Sequence, residues 1–237
     1  MHSPSPAWFV TGTDTEIGKT TMTAAILHGL VERGYRAVGL KPIAAGLDAL
    51  NQDGEPDNGD VLQLMAASNV SLPRAIINPY LLAEPVAPHS AAEQAGVHFE
   101  LAVMDAALQQ ARAHADIVLV EGVGGFRVPL QDGLDTADWA QHMALPVLLV
   151  VGLRLGCINH ALLTAEAIAA RGLTIAGWIA NQVDPQMLRP SASVAAIQAK
   201  IAAPLLGVVP FLDKQLDWRE QADEIGRHLN LAALLGR

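Results

Sequence analysis

Apolar runs of strand length alternate with amphipathic stretches of helix length along almost the whole chain, and few folds accept that rhythm. Strand-like runs fall at 7–11, 36–40, 116–120, 146–151, 173–180 and 205–209. Helix-like stretches fall at 19–33, 58–67, 99–114, 156–171, 191–202 and 222–235. Gly34 and Gly172 follow two of these helices, where a left-handed cap is expected. Such alternation predicts right-handed βαβ units and an α/β fold with a doubly wound, mostly parallel sheet flanked by helices. Composition agrees: 51% of the 237 residues are hydrophobic and only 16% charged, against a usual charged share of about 25%. Strands covered on both faces are apolar throughout. The length suits one domain over 1–237. The least regular region is 42–96, rich in Pro, Gly and Asn, and a loop that long is expected to have work to do.

One stretch interrupts the rhythm. "VTGTDTEIGKTT", residues 10–21, leaves the first apolar run and enters the first helix. Lysine is scarce here, at positions 19, 41, 200 and 214 only, while arginine occurs eleven times. A lysine at a helix start opposes the helix dipole, so an anionic ligand is the better explanation of Lys19. A strand-to-helix loop of this kind wraps phosphates with backbone N–H groups. Lys19 would reach the β- and γ-phosphates as a flexible point charge, which arginine's planar fork does poorly. Thr20 would offer its hydroxyl to Mg²⁺. The pattern G-x-x-x-x-G-K-[ST] is met at Gly18-Lys19-Thr20 but not at its entrance, where Thr13 replaces glycine and Gly12 sits one place earlier. The expected fold is therefore P-loop NTPase-like.

A magnesium nucleotide needs carboxylates for its metal. "DIVLVEGVGG", residues 116–125, ends a strand with Glu121 at the sheet edge where ligands of open α/β sheets collect. Gly122, Gly124 and Gly125 permit close backbone approach. Lys41 ends the strand 36–40 at the same edge and could neutralise charge on a transferring phosphoryl group; the bland alternative is a snorkelling lysine. Asp60 begins a helix after Asp57-Asn58-Gly59. By spacing alone it is as readily a dipole-favoured acid as a metal ligand.

Several exclusions follow. A net charge of −9 without a basic block disfavours nucleic acid. The longest apolar run, Ala144 to Leu153, contains Pro146 and Gly152 and falls far short of the roughly 20 residues that span a bilayer. The N-terminus lacks the pattern of a secretory signal. One cysteine, Cys157, excludes an internal disulfide framework and fits a reducing cytoplasm. The eight histidines form no metal signature, and no G-x-S-x-G stretch offers a serine nucleophile.

Seven stretches together resemble the dethiobiotin synthase family: "VTGTDTEIGKT" (10–20), "GLKPIAAG" (39–46), "NPYLLAEPVAPHSAA" (78–92), "VLVEGVGG" (118–125), "GLRLGCINHALLT" (152–164), "GWIAN" (177–181) and "APLLGVVPFL" (203–212). The family's loop takes the form G-T-D-T-[ED]-[VI]-G-K-T, which accounts for the displaced glycine. The resemblance implies an ATP-dependent ligase taking 7,8-diaminononanoate, CO₂ and MgATP to dethiobiotin, ADP and phosphate, through a carbamate and a carbamic–phosphoric anhydride. It implies that Glu16, Ile17, Gly18, Lys19, Thr20 and Thr21 wrap the phosphates, and that Thr20, Asp60 and Glu121 hold Mg²⁺. It adds Gly122, Val123 and Gly124 to the ATP site. Lys19 and Lys41 become the catalytic pair. Thr15, Lys41, Ala45 and Asn159 are implied for substrate, with Asn159 reaching the neighbouring subunit of a homodimer. Asn181, Gln182, Pro210, Phe211 and Leu212 correspond to the adenine edges, and Asp217 to an acid toward the ribose. Ala45 stands where relatives often carry serine or threonine, and Ser193 lies near a missing tyrosine; such lost polar contacts are worth about 0.5–1.5 kcal/mol each.

Two other classes share the fold. Partner-binding ATPases of the ParA/MinD class typically carry an extra lysine early in the loop, where this chain has Thr13-Asp14-Thr15. A cobyrinate-type amidotransferase needs a glutaminase domain for which no length remains.

Overall fold

Six parallel strands form the centre of the molecule: β1 (Ala7–Gly12), β2 (Ala37–Leu40), β3 (Ile117–Glu121), β4 (Val147–Leu153), β5 (Ile175–Gln182) and β6 (Leu205–Val209). The computed structural model describes residues 5–212 and 216–236. Strand order is β6-β5-β4-β1-β3-β2, and every pairing in this sheet is parallel. The expected doubly wound α/β sheet is present, each strand within a few residues of its apolar run.

Among the described residues ten helices surround it: α1 (Lys19–Val31), α2 (Gly59–Ala67), α3 (Arg74–Ile77), α4 (Pro88–Ala95), α5 (Leu101–His114), α6 (Thr136–Met143), α7 (Cys157–Ala170), α8 (Pro190–Gln198), α9 (Trp218–Gly226) and α10 (Leu231–Leu234). Alternation along the strands sorts side chains between two layers. Trp8, Val10, Leu148 and Val150 pack with α1, α9 and α10 through Ile26, Leu27, Ile225 and Leu231. Phe9 and Val118 pack the other way against Met104 of α5 and Trp139 of α6. Leu149 and Val151 share that second face with Ala161 of α7 and Ile197 of α8. Gly34 and Gly172 adopt φ of +83° and +70°, the left-handed turns expected after α1 and α7.

Three sequence expectations need correction. The helix expected at 222–235 is two helices. Asn230 breaks the run: its N–H donates to the Leu206 carbonyl at 2.7 Å, its side chain caps α10, and Leu229 bridges to Gly207 of edge strand β6. A terminal helix surrenders a turn there to satisfy the sheet edge. Helix α6 was not expected. Its signal was a capping box in which Asp135 and Asp138 each accept from the other's N–H. The region 42–96 is not one loop. Besides α2, expected at 58–67, it holds α3 and α4, a parallel pair of short strands (Ile43–Ala45 with Tyr80–Leu82) and an antiparallel pair (Ala49–Leu50 with Pro56–Asp57).

The helix break depends on close backbone contact. A Cβ on Gly207 would sit 2.1 Å from the His228 carbonyl oxygen, whereas one on Gly226 of α9 would meet nothing within 4 Å. Gly207→Ala should therefore lower stability by about 1–3 kcal/mol in urea unfolding. Gly226→Ala should raise it by about 0.4–1 kcal/mol. Equal effects of the two would contradict this packing.

Candidate active site

The loop after β1 turns back on itself before α1 begins. Glu16 and Gly18 take left-handed φ of +57° and +82°. A Cβ on Gly12 would lie 2.7 Å from Ile17 Cδ1 and 3.0 Å from the Lys19 stem. The displaced glycine is thus required where it stands, because the loop curls over it. A Cβ on Gly18 would lie 2.5 Å from Asn181 Nδ2. That amide donates to the Ile17 carbonyl at 2.8 Å and ties the loop to the end of β5. No side chain caps α1, and its first turn carries no acid. The N-terminal donors of such a helix suit an anion. Lys19 Nζ donates to the Asp14 carbonyl at 2.8 Å, and Asp14 pairs with Arg154. Burial, then the nearby Lys41 ammonium, push Lys19 down to about 8.

Strand register assembles the other half. Val10 pairs with Glu121 and Leu40 with Val120, so Lys41, next along its strand, comes level with Glu121. Lys41 Nζ lies 2.6 Å from Glu121 Oε1 and 2.7 Å from Asp60 Oδ2. The Thr20 hydroxyl donates to the same Glu121 Oε1 at 2.6 Å. Glu121 is fully buried and Lys41 is 4% exposed. Burial alone would lower the Lys41 pKa; the Glu121 and Asp60 carboxylates outweigh it and hold it well above the ordinary lysine value. Asp60 is likewise opposed by its burial, yet Lys41 holds its carboxyl below the usual range. Asp60 is presented by α2, whose start is capped by Asn58 accepting from the Val61 N–H.

Thr20, Asp60 and Glu121 converge on Lys41 and on one another. Among the described residues no group of three or more His, Cys, Asp or Glu could hold a metal by itself. Two carboxylates and a hydroxyl suit Mg²⁺, which takes one or two protein carboxylates and completes its shell with phosphate and water. Glu121 Oε2 is buried without a partner, and an unpaired carboxylate oxygen fits a cation seat.

A cleft of ≈ 760 Å³ opens above these groups. Thr15, Glu16, Gly18, Lys19, Thr20, Thr21, Lys41, Ala45, Asp60, Val123 and Gly124 line it, all singled out from the sequence. A neighbouring pocket of ≈ 170 Å³ is lined by Asn181, Gln182, Phe211 and Leu212, together with Met22, Val183 and Gln221. The sequence reading missed those last three, and in the cleft Asp48, Asn58, Gln63, Val128 and the segment Pro85 to Pro88. The proline segment lay inside a resemblance stretch, but nothing assigned its residues a role.

Some expected residues lie outside both linings. Ile17 is buried beneath the loop, and Gly122 donates its N–H to the Val10 carbonyl. Pro210 is exposed beside the smaller pocket. Asp217 caps α9, accepting from the Arg219 and Glu220 N–H groups in a box with Glu220, so that carboxylate has a structural task. Asn159 is exposed on α7.

A family model described as an AAA domain matches residues 7–219. The chain is 57% identical over 204 residues to an ATP-dependent dethiobiotin synthetase BioD of Aromatoleum aromaticum, covering 86% of this chain and 90% of that one. It is 54% identical over 231 residues to the synthetase of the same name from Ralstonia nicotianae, covering 97% of each. Among solved structures it is similar to the MinD cell division protein of Aquifex aeolicus, with a TM-score of 0.61, 18% identity and 98% of each chain covered. A ParA family ATPase of Chlorobium tepidum gives a TM-score of 0.57 at 12% identity, covering 97% of this chain and 99% of that one. These likenesses show a shared P-loop NTPase fold. No helix among the described residues is long and apolar enough to cross a membrane. Sequence identity of this depth and extent establishes that the chain belongs to the ATP-dependent dethiobiotin synthetase family of enzymes.

Proposed function

We propose that this protein converts 7,8-diaminononanoate, CO₂ and ATP to dethiobiotin, ADP and phosphate in the cytoplasm, with 1–237 as one catalytic domain. The observation that carries the reading is a single cleft joining the phosphate loop, the Lys41 cluster and an apolar wall of Ala45, Pro85, Val86 and Val128. One amine adds to CO₂ and loses a proton, giving a carbamate. A carbamate oxygen attacks the γ-phosphorus and ADP leaves. The second amine attacks the carbonyl carbon of the resulting anhydride, the C–O bond to phosphate breaks, and the ureido ring closes.

Each step needs alignment and charge stabilisation more than acid–base groups. Lys19 and the start of α1 hold the triphosphate, and the smaller pocket takes the adenine. Lys41 steadies the phosphoryl group as charge moves from carbamate to ADP. Mg²⁺, held by Thr20, Asp60 and Glu121, would supply charge neutralisation at the phosphate oxygens.

Asn159 takes part only if a second chain brings it to a partner's cleft. Its neighbours on 155–163 support a homodimer: Leu155 is 95% exposed and Leu163 57%. Exposed apolar groups so placed favour association.

Purified protein should release ADP only when diamine and bicarbonate are both present. Equal ATP turnover without diamine would defeat the synthetase reading. Lys41→Met should lower turnover by about 100-fold, yet tighten nucleotide-free Mn²⁺ binding in a paramagnetic titration, because Asp60 and Glu121 lose their resident ammonium. Unaltered Mn²⁺ affinity would contradict a seat shared by lysine and metal. Light scattering should show a dimer that Leu155→Glu with Leu163→Glu converts to single chains; a monomeric wild type would remove Asn159 from the site.

A further inference from the structure

Behind the cleft lies a polar cluster of Asn78, Arg74 and Asp57, none of which lines it. The β2 ladder ends at Leu40, paired with Val120, and the next residues are Lys41 and Pro42, which has no N–H to offer. The main chain of Lys41 is held by a different segment. Its N–H donates to the Ile77 carbonyl at 2.9 Å. Its carbonyl accepts from Asn78 Nδ2, and that amide also donates to the Tyr80 carbonyl at 3.1 Å. With carbonyls on both contacts, only one orientation of the Asn78 amide works. Its Oδ1 is then buried without a partner.

The link continues. Arg74 Nη1 donates to the Asn78 carbonyl at 3.3 Å, and the rest of its guanidinium grips both oxygens of buried Asp57 at 2.5 and 3.3 Å. Asp57 also accepts from the Asn58 N–H at 2.7 Å. Asn58 caps α2, the helix that presents Asp60. An unbroken polar chain thus runs from the peptide of Lys41 to the helix start beside Asp60.

We propose that Asn78, Arg74 and Asp57 are positioning residues that set the placement of Lys41 relative to Asp60. An ion pair between buried Asp57 and an Arg74 side chain that is 30% exposed adds little net stability, and the orphaned Asn78 oxygen subtracts from it. Directional bonds of fixed length do, however, set where a lysine stem starts. Transition-state stabilisation is sensitive to displacements of that size.

The proposal rests on the synthetase reading, which wild-type turnover of the diamine checks separately. Asn78→Ala should lower kcat per ADP-binding site by about 100-fold, while KM for ATP and the Kd of ADP stay near wild type, because neither the phosphate loop nor the adenine pocket is touched. Arg74→Lys keeps a charge beside Asp57 but loses the planar fork; it should lower kcat less, again with ATP affinity preserved. Should Asn78→Ala fail to fold, Arg74→Lys carries the test. Variants that melt earlier but retain wild-type kcat per ADP-binding site would overturn the proposal, leaving the cluster as scaffold. So would parallel loss of kcat and nucleotide affinity.

Discussion

Glu121 is a carboxylate at the end of a central strand with no access to water. Such a charge is tolerable only when neutralised and hydrogen-bonded. One of its oxygens takes both the Thr20 hydroxyl and the Lys41 ammonium, and the other has no partner. Three elements meet on this group: the helix after the phosphate loop, the strand before Pro42 and, through Lys41, the helix of Asp60. Removing one partner from a buried pair commonly destabilises by about 3–5 kcal/mol. The charges that would hold a metal triphosphate are therefore the same charges that hold these elements together.

Register is what makes the meeting possible. Parallel pairing sets β1 and β2 on either side of β3, so that Val10, Glu121 and the residue after Leu40 end level at one rim. A slip of one residue in β2 would turn Lys41 to the opposite face. The alternating apolar residues prevent such a slip, since Val38 and Leu40 belong to one layer and Ala37 to the other. The core thus fixes the chemistry from beneath, with no additional loop needed to aim Glu121.

The elements legible in the sequence were those whose signal is local. Six apolar runs became six strands, and Gly18-Lys19-Thr20 became the start of α1 because strand, loop and helix are contiguous. Lys41 and Glu121 were read as pointing to one rim, and Asp60 joined them only through the resemblance; the fold shows that Lys41 touches both carboxylates. Illegible features were those that depend on distant partners. Nothing near Asn181 says that its amide will hold the Ile17 carbonyl, 164 positions away. Nothing near Asn78 says that it will reach back to Lys41. Asp217 is a different case: its spacing to Glu220 is a local capping signal that the sequence offered and that went unread.

The scarcity of lysine now has a structural explanation. Arginine pairs with carboxylates outside the cleft, as in Arg36 with Asp116, Arg127 with Asp135 and Arg171 with Asp138, where a rigid fork suits a fixed partner. Among the described residues the buried cationic side chains are Lys19 and Lys41. Both terminate in a point charge on a four-carbon stem, and each holds a contact that a ligand would have to replace: Lys19 the Asp14 carbonyl, Lys41 the two carboxylates. A guanidinium gripping Asp60 and Glu121 with several N–H groups at once would resist both a metal and a phosphoryl group. An ammonium can release one oxygen and keep another, and that freedom is what the proposed transfer from carbamate to ADP would require.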